Sequence, residues 1–305
     1  MKNFKLYLTI FLFLLLCLIA CSPQKYIEAG LNGLSAWAFN VLPCVLPFMI
    51  ISRLIIELGE VEKLTKPFSK PFKFLYGTNS SACYVFLMSI LAGYPVGSKM
   101  TAELYESGKR NLTEAYRMSS FCSNSGPMFI IGTVGCLLLK SPAAGAILFV
   151  SHVLSALING LFYRKTTAKN QPESGTFATK PQPATFSDVV LVAVQGILNV
   201  GAIICLFFII IEALSPLFSL FPSPLVPLFE GMVELTRGCI DASTLPLYPA
   251  IIICSFLISF GGISTILQSK AMLKKLRMPS WLFSVQKLTQ GIISAAITAL
   301  LALAI

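Results

Sequence analysis

Long apolar runs, separated by short polar stretches, make up most of the chain. Seven of these runs approach the roughly 20 residues that a helix needs to cross a bilayer, at 4–20, 32–57, 118–139, 143–163, 187–214, 246–267 and 281–303. An eighth run, 81–97, is shorter and ends in Gly93-Tyr94-Pro95-Val96-Gly97, where proline and glycine disfavour a continuous helix. The pattern predicts an all-α polytopic membrane protein with about eight membrane-embedded segments.

Composition agrees with a membrane protein. Hydrophobic residues make up 55% of the chain and charged residues 12%, and the mean hydropathy is +0.79. The formal net charge of +10 does not indicate nucleic acid, because Lys and Arg lie in short connections between apolar runs, where they set the orientation of a membrane protein. The nine cysteines form no CxxC pair, and the single histidine, His152, has no acidic or cysteine neighbour in the sequence. We therefore expect buried free thiols, no metal and no cofactor.

The charges near the amino end predict its orientation. Lys2 and Lys5 should keep this end in the cytoplasm, before a first transmembrane helix within residues 1–28. The end of that helix, at Cys21, resembles a bacterial lipoprotein signal. A protein that spans the membrane needs no lipid anchor, so we favour the transmembrane helix.

Three basic stretches are expected on the cytoplasmic side, at 58–80, 99–117 and 164–188. If the first two share a side, the run 81–97 between them cannot cross the membrane. It must enter and return as a re-entrant hairpin, which is tolerated only where the turning backbone is buried in protein or lines a cavity.

A weak internal repeat divides the chain in two. Residues 41–57 align with 196–212, and residues 89–104 align with 255–270 at a different offset. If the two halves are inverted, their interrupted segments indicate a transporter's binding site near the bilayer midplane. The predicted organisation is an N-terminal helix at 1–28, a first repeat at 29–163, a cytoplasmic linker at 164–186 and a second repeat at 187–305.

The side of the basic stretch 269–280 is left open by these rules. Strict inversion of the two halves places it outside the cell. The positive-inside rule places it inside, after a full crossing by residues 246–267.

The stretch "FCSNSGPMFIIGTVG" (121–135) sets polar residues at the start of an apolar run. Pro127 removes a backbone donor and frees a carbonyl, which favours a ligand site at a broken helix. The alternative is an ordinary helix start, with Asn124 or Ser125 as the cap and Pro127 in the first turn.

The stretch "FEGMVELTRGC" (229–239) places Glu230, Glu234 and Arg237 on one face of a short helix. One interpretation is an ion pair between Glu234 and Arg237. The other is a charge cluster at membrane depth, where ionisable groups mark substrate or ion paths.

The stretch "FGGISTILQ" (260–268) contains a Gly-Gly pair followed by Ser264, Thr265 and Gln268. It predicts a second turn with hydrogen-bond donors beside it. A close-packing site for a neighbouring helix is the alternative.

Taken together and in this order, these three stretches and "GYPVGSK" resemble the YlbJ/SpoVV family of sporulation membrane proteins, over about residues 30–300. That family contains the nucleoside-recognition, or Gate, domain and is distantly similar to concentrative nucleoside transporters. The resemblance implies re-entrant hairpins at 81–97 and 246–267, with a substrate site between hairpin tips and broken helices. The matching positions are Gly93, Tyr94, Pro95, Gly97, Ser98, Lys99, Asn124, Ser125, Gly126, Pro127, Glu230, Glu234, Thr236, Arg237, Gly261, Gly262, Ser264 and Gln268.

The resemblance also implies a function, which is the movement of dipicolinic acid across the outer forespore membrane during endospore formation. We therefore expect a bacterial integral membrane transporter of a small anionic solute, and not an enzyme. Lys99 and Arg237 are the candidate counter-charges, and Tyr94 and Phe260 offer flat surfaces for an aromatic ring. The expected partners are the solute, the lipid bilayer and a coupling ion, either H⁺ or Na⁺. The sequence contains no phosphate-binding loop that would indicate ATP-driven transport. Whether the protein forms a homo-oligomer is left open.

Other functional classes stay open. A carrier of nucleosides or other small solutes would share this architecture, whereas an assembly protein of the spore envelope would need no substrate site. An intramembrane enzyme would need a nucleophile and a base at matched depth. Ser98 and Lys99 are the suggestive pair, but neighbours on a helix point about 100° apart.

Overall fold

The regular elements of the described residues are all helices. The computed structural model describes residues 2–58, 65–78, 80–168 and 185–304. Most of the predicted linker, residues 169–184, lies outside the described residues.

The helices follow the apolar runs, with several interruptions. In chain order they are α1 (Lys2–Cys21), α2 (Pro23–Ser35), a π-helical turn (Ala36–Val41), α3 (Leu42–Glu57), a 3₁₀ turn (Lys66–Phe68), α4 (Ser69–Tyr76), α5 (Ser80–Ala92), α6 (Val96–Glu106), α7 (Leu112–Met118), a π-helix (Met128–Leu138), α8 (Pro142–Phe162), α9 (Phe186–Phe218), a 3₁₀ turn (Ser223–Leu225), α10 (Val226–Val233), α11 (Leu235–Ala242), α12 (Leu247–Phe260), α13 (Gly262–Met272), a 3₁₀ turn (Leu273–Leu276), α14 (Ser280–Leu301) and a final 3₁₀ turn (Ala302–Ala304).

Four helices of the described residues are long and apolar enough to cross a membrane: Pro23–Ile55, Pro142–Phe162, Phe186–Phe218 and Leu247–Leu276. A bent pair, Lys66–Tyr76 with Ser81–Ala92, would bring the number to five. The expected count of eight is therefore not confirmed. Lys5–Cys21 and Met128–Leu138 are shorter apolar helices, and α14 carries a row of buried polar side chains.

Side-chain caps define where two of the helices begin. Asn111 Oδ1 accepts a hydrogen bond from the Glu114 N–H at 2.8 Å at the start of α7. Ser141 Oγ accepts from the Ala144 N–H at 3.2 Å at the start of α8. These bonds satisfy backbone donors that have no partner within the helix.

Helices α5 and α6 form an antiparallel hairpin, which we call hairpin 1 (residues 80–106). Arg110 Nε, just beyond α6, donates to Ser81 Oγ at the start of α5 at 2.6 Å. The two arms are in close contact near the tip, because a Cβ added to Gly97 would overlap the carbonyl oxygen of Cys122 and lie 2.5 Å from the Cβ of Ser89. Both ends of hairpin 1 therefore lie at the same end of the molecule.

The basic stretches gather at this end, which we call the basic end. Arg117 Nη1 donates to the Gly77 carbonyl and Arg117 Nε to the Thr166 carbonyl, each at 3.0 Å. Arg164 Nη2 donates to the Phe74 carbonyl at 3.1 Å. Described residues from all three stretches expected in the cytoplasm thus lie together.

The stretch 269–280 also lies at the basic end. Lys275 Nζ forms an ion pair with Glu106 Oε2 at 2.8 Å, and Tyr116 Oη lies 3.4 Å from the carbonyl oxygen of Leu276. Of the two open alternatives, the structure therefore favours the one in which 269–280 shares a side with 99–117.

No hairpin forms at 246–267, so the resemblance-based expectation for this segment is wrong. Residues Leu247–Leu276 run on as one apolar helix of 30 residues. Gly261 and Gly262, with φ of +89° and +70°, interrupt its hydrogen-bonding pattern without reversing the chain. The alignment of 89–104 with 255–270 pairs a hairpin with an interrupted helix, and the repeat derived from it is not confirmed.

A second hairpin is formed instead by α10 and α11, which we call hairpin 2 (residues 226–242). Glu234 is its tip and has extended backbone angles. The backbones of Gly231 and Gly238 are in direct contact, because a Cβ added to Gly238 would overlap the Cα of Gly231. Helix α9 leads from the linker to this hairpin, which is followed by Leu247–Leu276. The far end of that long helix lies at the basic end, so hairpin 2 opens toward the opposite end of the molecule.

Helices α8, α12 and α14 pack side by side in the core between the hairpins. Leu148 of α8 and Ile251, Leu257 and Ile258 of α12 are fully buried there. Burial of this apolar surface holds the interrupted segments in place against regular helices.

Candidate solute site

The tip of hairpin 1 lies against the interrupted segment between α7 and the π-helix. No regular helix forms between Met118 and Pro127. Gly93 has φ of +73°, and a Cβ added to it would lie 3.1 Å from the Gly126 nitrogen. Both the backbone angle and the close approach favour glycine at this position.

The tip of hairpin 2 lies against the interruption in the other long helix. A Cβ added to Gly262 would lie 3.0 Å from the Gly231 carbonyl oxygen and 3.1 Å from the Leu235 nitrogen. Each hairpin tip is therefore seated on a break in a neighbouring helix.

The two hairpin–helix pairs also touch one another. Tyr94 Oη, at the tip of hairpin 1, donates to the Ile258 carbonyl at 3.3 Å. The same oxygen lies 3.5 Å from the position of a Cβ on Gly261. The first tip thus contacts both interrupted helices.

A cavity of about 100 Å³ lies between the two tips. A water molecule needs a tenth of this volume or slightly more, so the cavity has room for several waters or a small organic solute. Helices α3 and α9 supply an apolar wall that includes Phe48 and Ile204. Glu234 is an acidic group in the lining, and the described lining contains no Lys or Arg.

Seven of the predicted site residues line this cavity. They are Gly93, Tyr94, Ser125, Gly126, Glu234, Thr236 and Gln268. Thr265 lines it as well. The remaining eleven lie outside the lining: Pro95, Gly97, Ser98, Lys99, Asn124, Pro127, Glu230, Arg237, Gly261, Gly262 and Ser264.

The two expected counter-charges do not reach the cavity. Lys99 is half exposed on α6, and its Nζ lies 3.9 Å from Glu103 Oε1, one turn away. Arg237 Nε lies 2.6 Å from Asp241 Oδ2 and 3.6 Å from Glu230 Oε2. The side chain of Arg237 borders a separate cavity with Lys25 and Glu212.

Glu234 acts as a helix cap and does not pair with the Arg237 guanidinium. Its Oε2 accepts the Arg237 backbone N–H at 2.8 Å, and the residue is only 3% exposed. The Glu234–Arg237 ion pair is therefore replaced by a cluster of Glu230, Arg237 and Asp241. Glu234 is left as the carboxyl group at the cavity.

Asn124 ties the interrupted segment to hairpin 1. Its Nδ2 donates to Ser89 Oγ at 2.8 Å and to the Phe121 carbonyl at 2.7 Å. Ser98 Oγ donates to Ser123 Oγ at 3.2 Å. No side chain caps the helix that follows Pro127, so the structure matches the broken helix and not the ordinary helix start.

Side chains from α8 and α14 satisfy the opened backbone, although none of them is among the predicted site residues. Lys287 Nζ donates to the Ser123 carbonyl at 2.7 Å, and Asn159 Nδ2 donates to the Ser120 carbonyl at 2.7 Å. His152 Nε2 accepts the Ser125 N–H at 3.1 Å. A signal for this face existed in the run 281–303, where polar residues recur every fourth position at Gln286, Gln290, Ser294 and Thr298.

Comparison with known proteins assigns this chain to a family. No protein-family model matches the chain. The sporulation integral membrane protein YlbJ of Bacillus subtilis (strain 168) is 30% identical to it, over 98% of this chain and 83% of that protein. The chain belongs to the YlbJ family. It is thus an integral membrane protein with a sporulation protein as its homologue.

The fold of this YlbJ-family protein is similar to that of a concentrative nucleoside transporter, CNTnw, in an outward-facing state. The TM-score is 0.50 with 16% sequence identity, and the match covers 92% of this chain and 85% of that chain. The likeness is one of fold, and it gives the chain a transporter-like architecture.

Proposed function

We propose that this protein is a membrane transporter that binds a small solute in the cavity between the two hairpin tips. The observation that carries the proposal is that each tip is seated on an interrupted helix and that both tips border one cavity. Turned backbone at membrane depth is tolerated where it is buried in protein or lines a cavity. Paired interrupted helices of this kind form the solute sites of many transporters.

In this proposal both hairpins are re-entrant and enter from opposite sides of the membrane. The ends of hairpin 1 lie at the basic end, and those of hairpin 2 lie at the opposite end. The inverted pair then consists of hairpin 1 with the interruption before Pro127, and hairpin 2 with the interruption at Gly261 and Gly262. This pairing differs from the one proposed from sequence.

Dipicolinate is the solute we propose, on the basis of the family resemblance. Ser125, Thr236 and Gln268 would hydrogen-bond its carboxylates, and the Tyr94 ring offers a face for its aromatic ring. With no Lys or Arg in the described lining, a dianion beside the Glu234 carboxylate would be repelled. We therefore expect Glu234 to take up a proton when the solute binds, so H⁺ is the proposed coupling ion.

A second candidate solute is a neutral nucleoside. The observation that favours it is the same acidic lining. A carboxylate beside Gln268 and Thr236 can accept hydrogen bonds from sugar hydroxyls without a counter-charge.

Uptake by purified protein in lipid vesicles tests these proposals. Labelled dipicolinate should accumulate inside, and faster when a proton gradient points inward. Uptake of uridine with no uptake of dipicolinate would favour the nucleoside carrier. Uptake of neither solute would contradict both proposed solutes, and would leave a carrier of another small solute or an assembly role in the spore envelope.

A pair of threonine variants serves as the matched control. Thr236 lines the cavity, whereas Thr244 donates to the Asp241 carbonyl in an exposed turn. Thr236→Val should weaken uptake of dipicolinate, and Thr244→Val should not.

The proposed location is the outer forespore membrane. Spores that lack the protein should then contain little dipicolinate in the core, although the mother cell makes it at the normal rate. Normal core dipicolinate in such spores would contradict both the location and the solute.

A further inference from the structure

Lys287 carries a charge that the solute site does not use directly. It lies on α14 and is 1% exposed. Its Nζ donates to the Ser123 carbonyl at 2.7 Å and to Gln290 Oε1 at 2.6 Å, and it lies 5.0 Å from the centroid of the Tyr94 ring. Among the described residues no carboxylate forms an ion pair with it.

These surroundings fit a positively charged amine. A lysine ammonium has three donors and no acceptor. Its described neighbours are two carbonyl-type oxygens and the face of an aromatic ring, which attracts cations.

The position of Nζ is where a coupling cation is expected. In transporters with interrupted helices, carbonyl oxygens of the unwound backbone coordinate the coupling cation. The Ser123 carbonyl belongs to such an unwound segment, and Lys287 Nζ takes the place that a cation would have beside this oxygen. Tyr94 and Ser123 belong to hairpin 1 and to the interrupted helix, so one ammonium contacts both.

We propose that the Lys287 ammonium is a tethered replacement for a free alkali-metal cation. It holds the tip of hairpin 1 against the interrupted segment, so the site is assembled without Na⁺. The consequence for transport rests on the proposed function, whereas the cation site itself does not.

The first test compares media in vesicle uptake by the unaltered protein. Uptake with NaCl should equal uptake with choline chloride at the same concentration. Uptake that requires Na⁺ would overturn the proposal. Lys287→Met keeps an unbranched side chain but loses two hydrogen bonds from a charged donor, so uptake should fall about tenfold or more.

The second test needs no transport and so separates this proposal from the proposed function. Lys287→Ala should empty the site, and the apparent unfolding temperature of the purified variant should rise with added NaCl or methylammonium chloride but not with choline chloride. The unaltered protein should show no such selectivity. A variant that responds equally to all three salts would overturn the proposal.

Lys270 provides the matched control for the second test. Its Nζ donates to Ser284 Oγ at 2.9 Å on α14, and not to a carbonyl of the interrupted segment. Lys270→Ala should show no selective response to Na⁺ or methylammonium. If Lys287→Ala does not fold, the unfolding temperature of the unaltered protein decides the proposal, because a rise with NaCl but not with choline chloride would overturn it.

Discussion

At the residue scale, the Glu234 carboxyl group has two separable roles. It caps α11 by accepting the Arg237 N–H, and it borders the cavity beside Thr236. Only the second role depends on its charge. A glutamine side chain can accept the same backbone N–H but cannot exchange a proton.

Glu234→Gln should therefore keep the fold and lose proton coupling. The apparent unfolding temperature should stay close to that of the unaltered protein, and labelled dipicolinate should still exchange across vesicles. Acceleration of uptake by an inward proton gradient should disappear. Glu103→Gln, which alters an exposed carboxylate, is the control and should retain the acceleration. A proton response that survives in Glu234→Gln would remove Glu234 from the coupling role.

Lys99→Ala should change little, contrary to the expectation from sequence. Its ammonium forms an exposed pair with Glu103 at 3.9 Å, and such pairs contribute about 0–1 kcal/mol. Uptake should stay within about twofold of normal, since 1.4 kcal/mol corresponds to tenfold. A large loss of uptake at normal protein level would restore Lys99 as a counter-charge.

The sequence motifs predict which segments meet at the candidate site, but they do not predict which charged residues lie there. "GYPVG" and "SNSGP" do meet, because glycine and proline interrupt helices wherever they occur. Which way Lys99 and Arg237 point depends on helix packing, which the motif does not contain. No motif points to Lys287, because one cation in an apolar run does not differ from an ordinary helix residue unless the polar face beside it is considered.

At the element scale, close contacts at glycines hold the two hairpins in place. In hairpin 1 the arm that carries Gly97 passes directly over the backbone at Cys122. In hairpin 2 the arms meet at Gly231 and Gly238. These contacts leave no room for a side chain, so they fix the depth at which each tip sits.

Gly97→Ala should disturb hairpin 1. Its added methyl group would overlap the Cys122 carbonyl, and overpacking of this kind costs about 1–3 kcal/mol. The apparent unfolding temperature should fall and solute uptake should be reduced. Gly132→Ala is the matched control, because its Cβ would meet the nearest atom, Met128 Cε, at 3.4 Å. Equal unfolding temperatures for the two variants would contradict the close contact.

The second hairpin could not be located from hydropathy. Its arms, α10 and α11, have eight residues each, too short to stand out as an apolar run. The Gly-Gly pair at 261–262 is the stronger signal in the sequence. A positive φ at two glycines allows either a reversal or an interruption, and packing against hairpin 2 decides for the interruption.

At the scale of the whole molecule, the two ends differ in the basic residues they carry. The basic end collects Arg117, Arg164 and Lys275. Hairpin 2 and the contact of Tyr248 Oη with the Ala299 carbonyl, at 3.2 Å, lie at the other end. The positive-inside rule predicts that the basic end faces the cytoplasm.

Cysteine labelling in a cysteine-free background tests this arrangement. Cysteines placed at the exposed positions Lys109 and Lys274 should both be protected from an impermeant reagent added outside cells. A cysteine at the exposed position Thr244 should react. Opposite labelling of positions 109 and 274 would contradict the shared side of these two stretches.

The buried polar row on α14 bears on how the chain is built into a membrane. This helix is not among the four that are apolar enough to cross on their own. A lysine near the middle of an isolated inserting helix costs about 2.5–3.5 kcal/mol. Two acceptors offset this cost: Gln290 Oε1 on the same helix, and the Ser123 carbonyl 164 residues earlier in the chain. We therefore expect insertion of Ser280–Leu301 to be coupled to docking on helices already synthesised, because the Ser123 carbonyl lacks the Lys287 donor until then. Before this docking, the nascent protein would expose the polar side chains of α14 and the Ser123 carbonyl within the bilayer. Membrane chaperones and proteases could recognise these exposed polar groups.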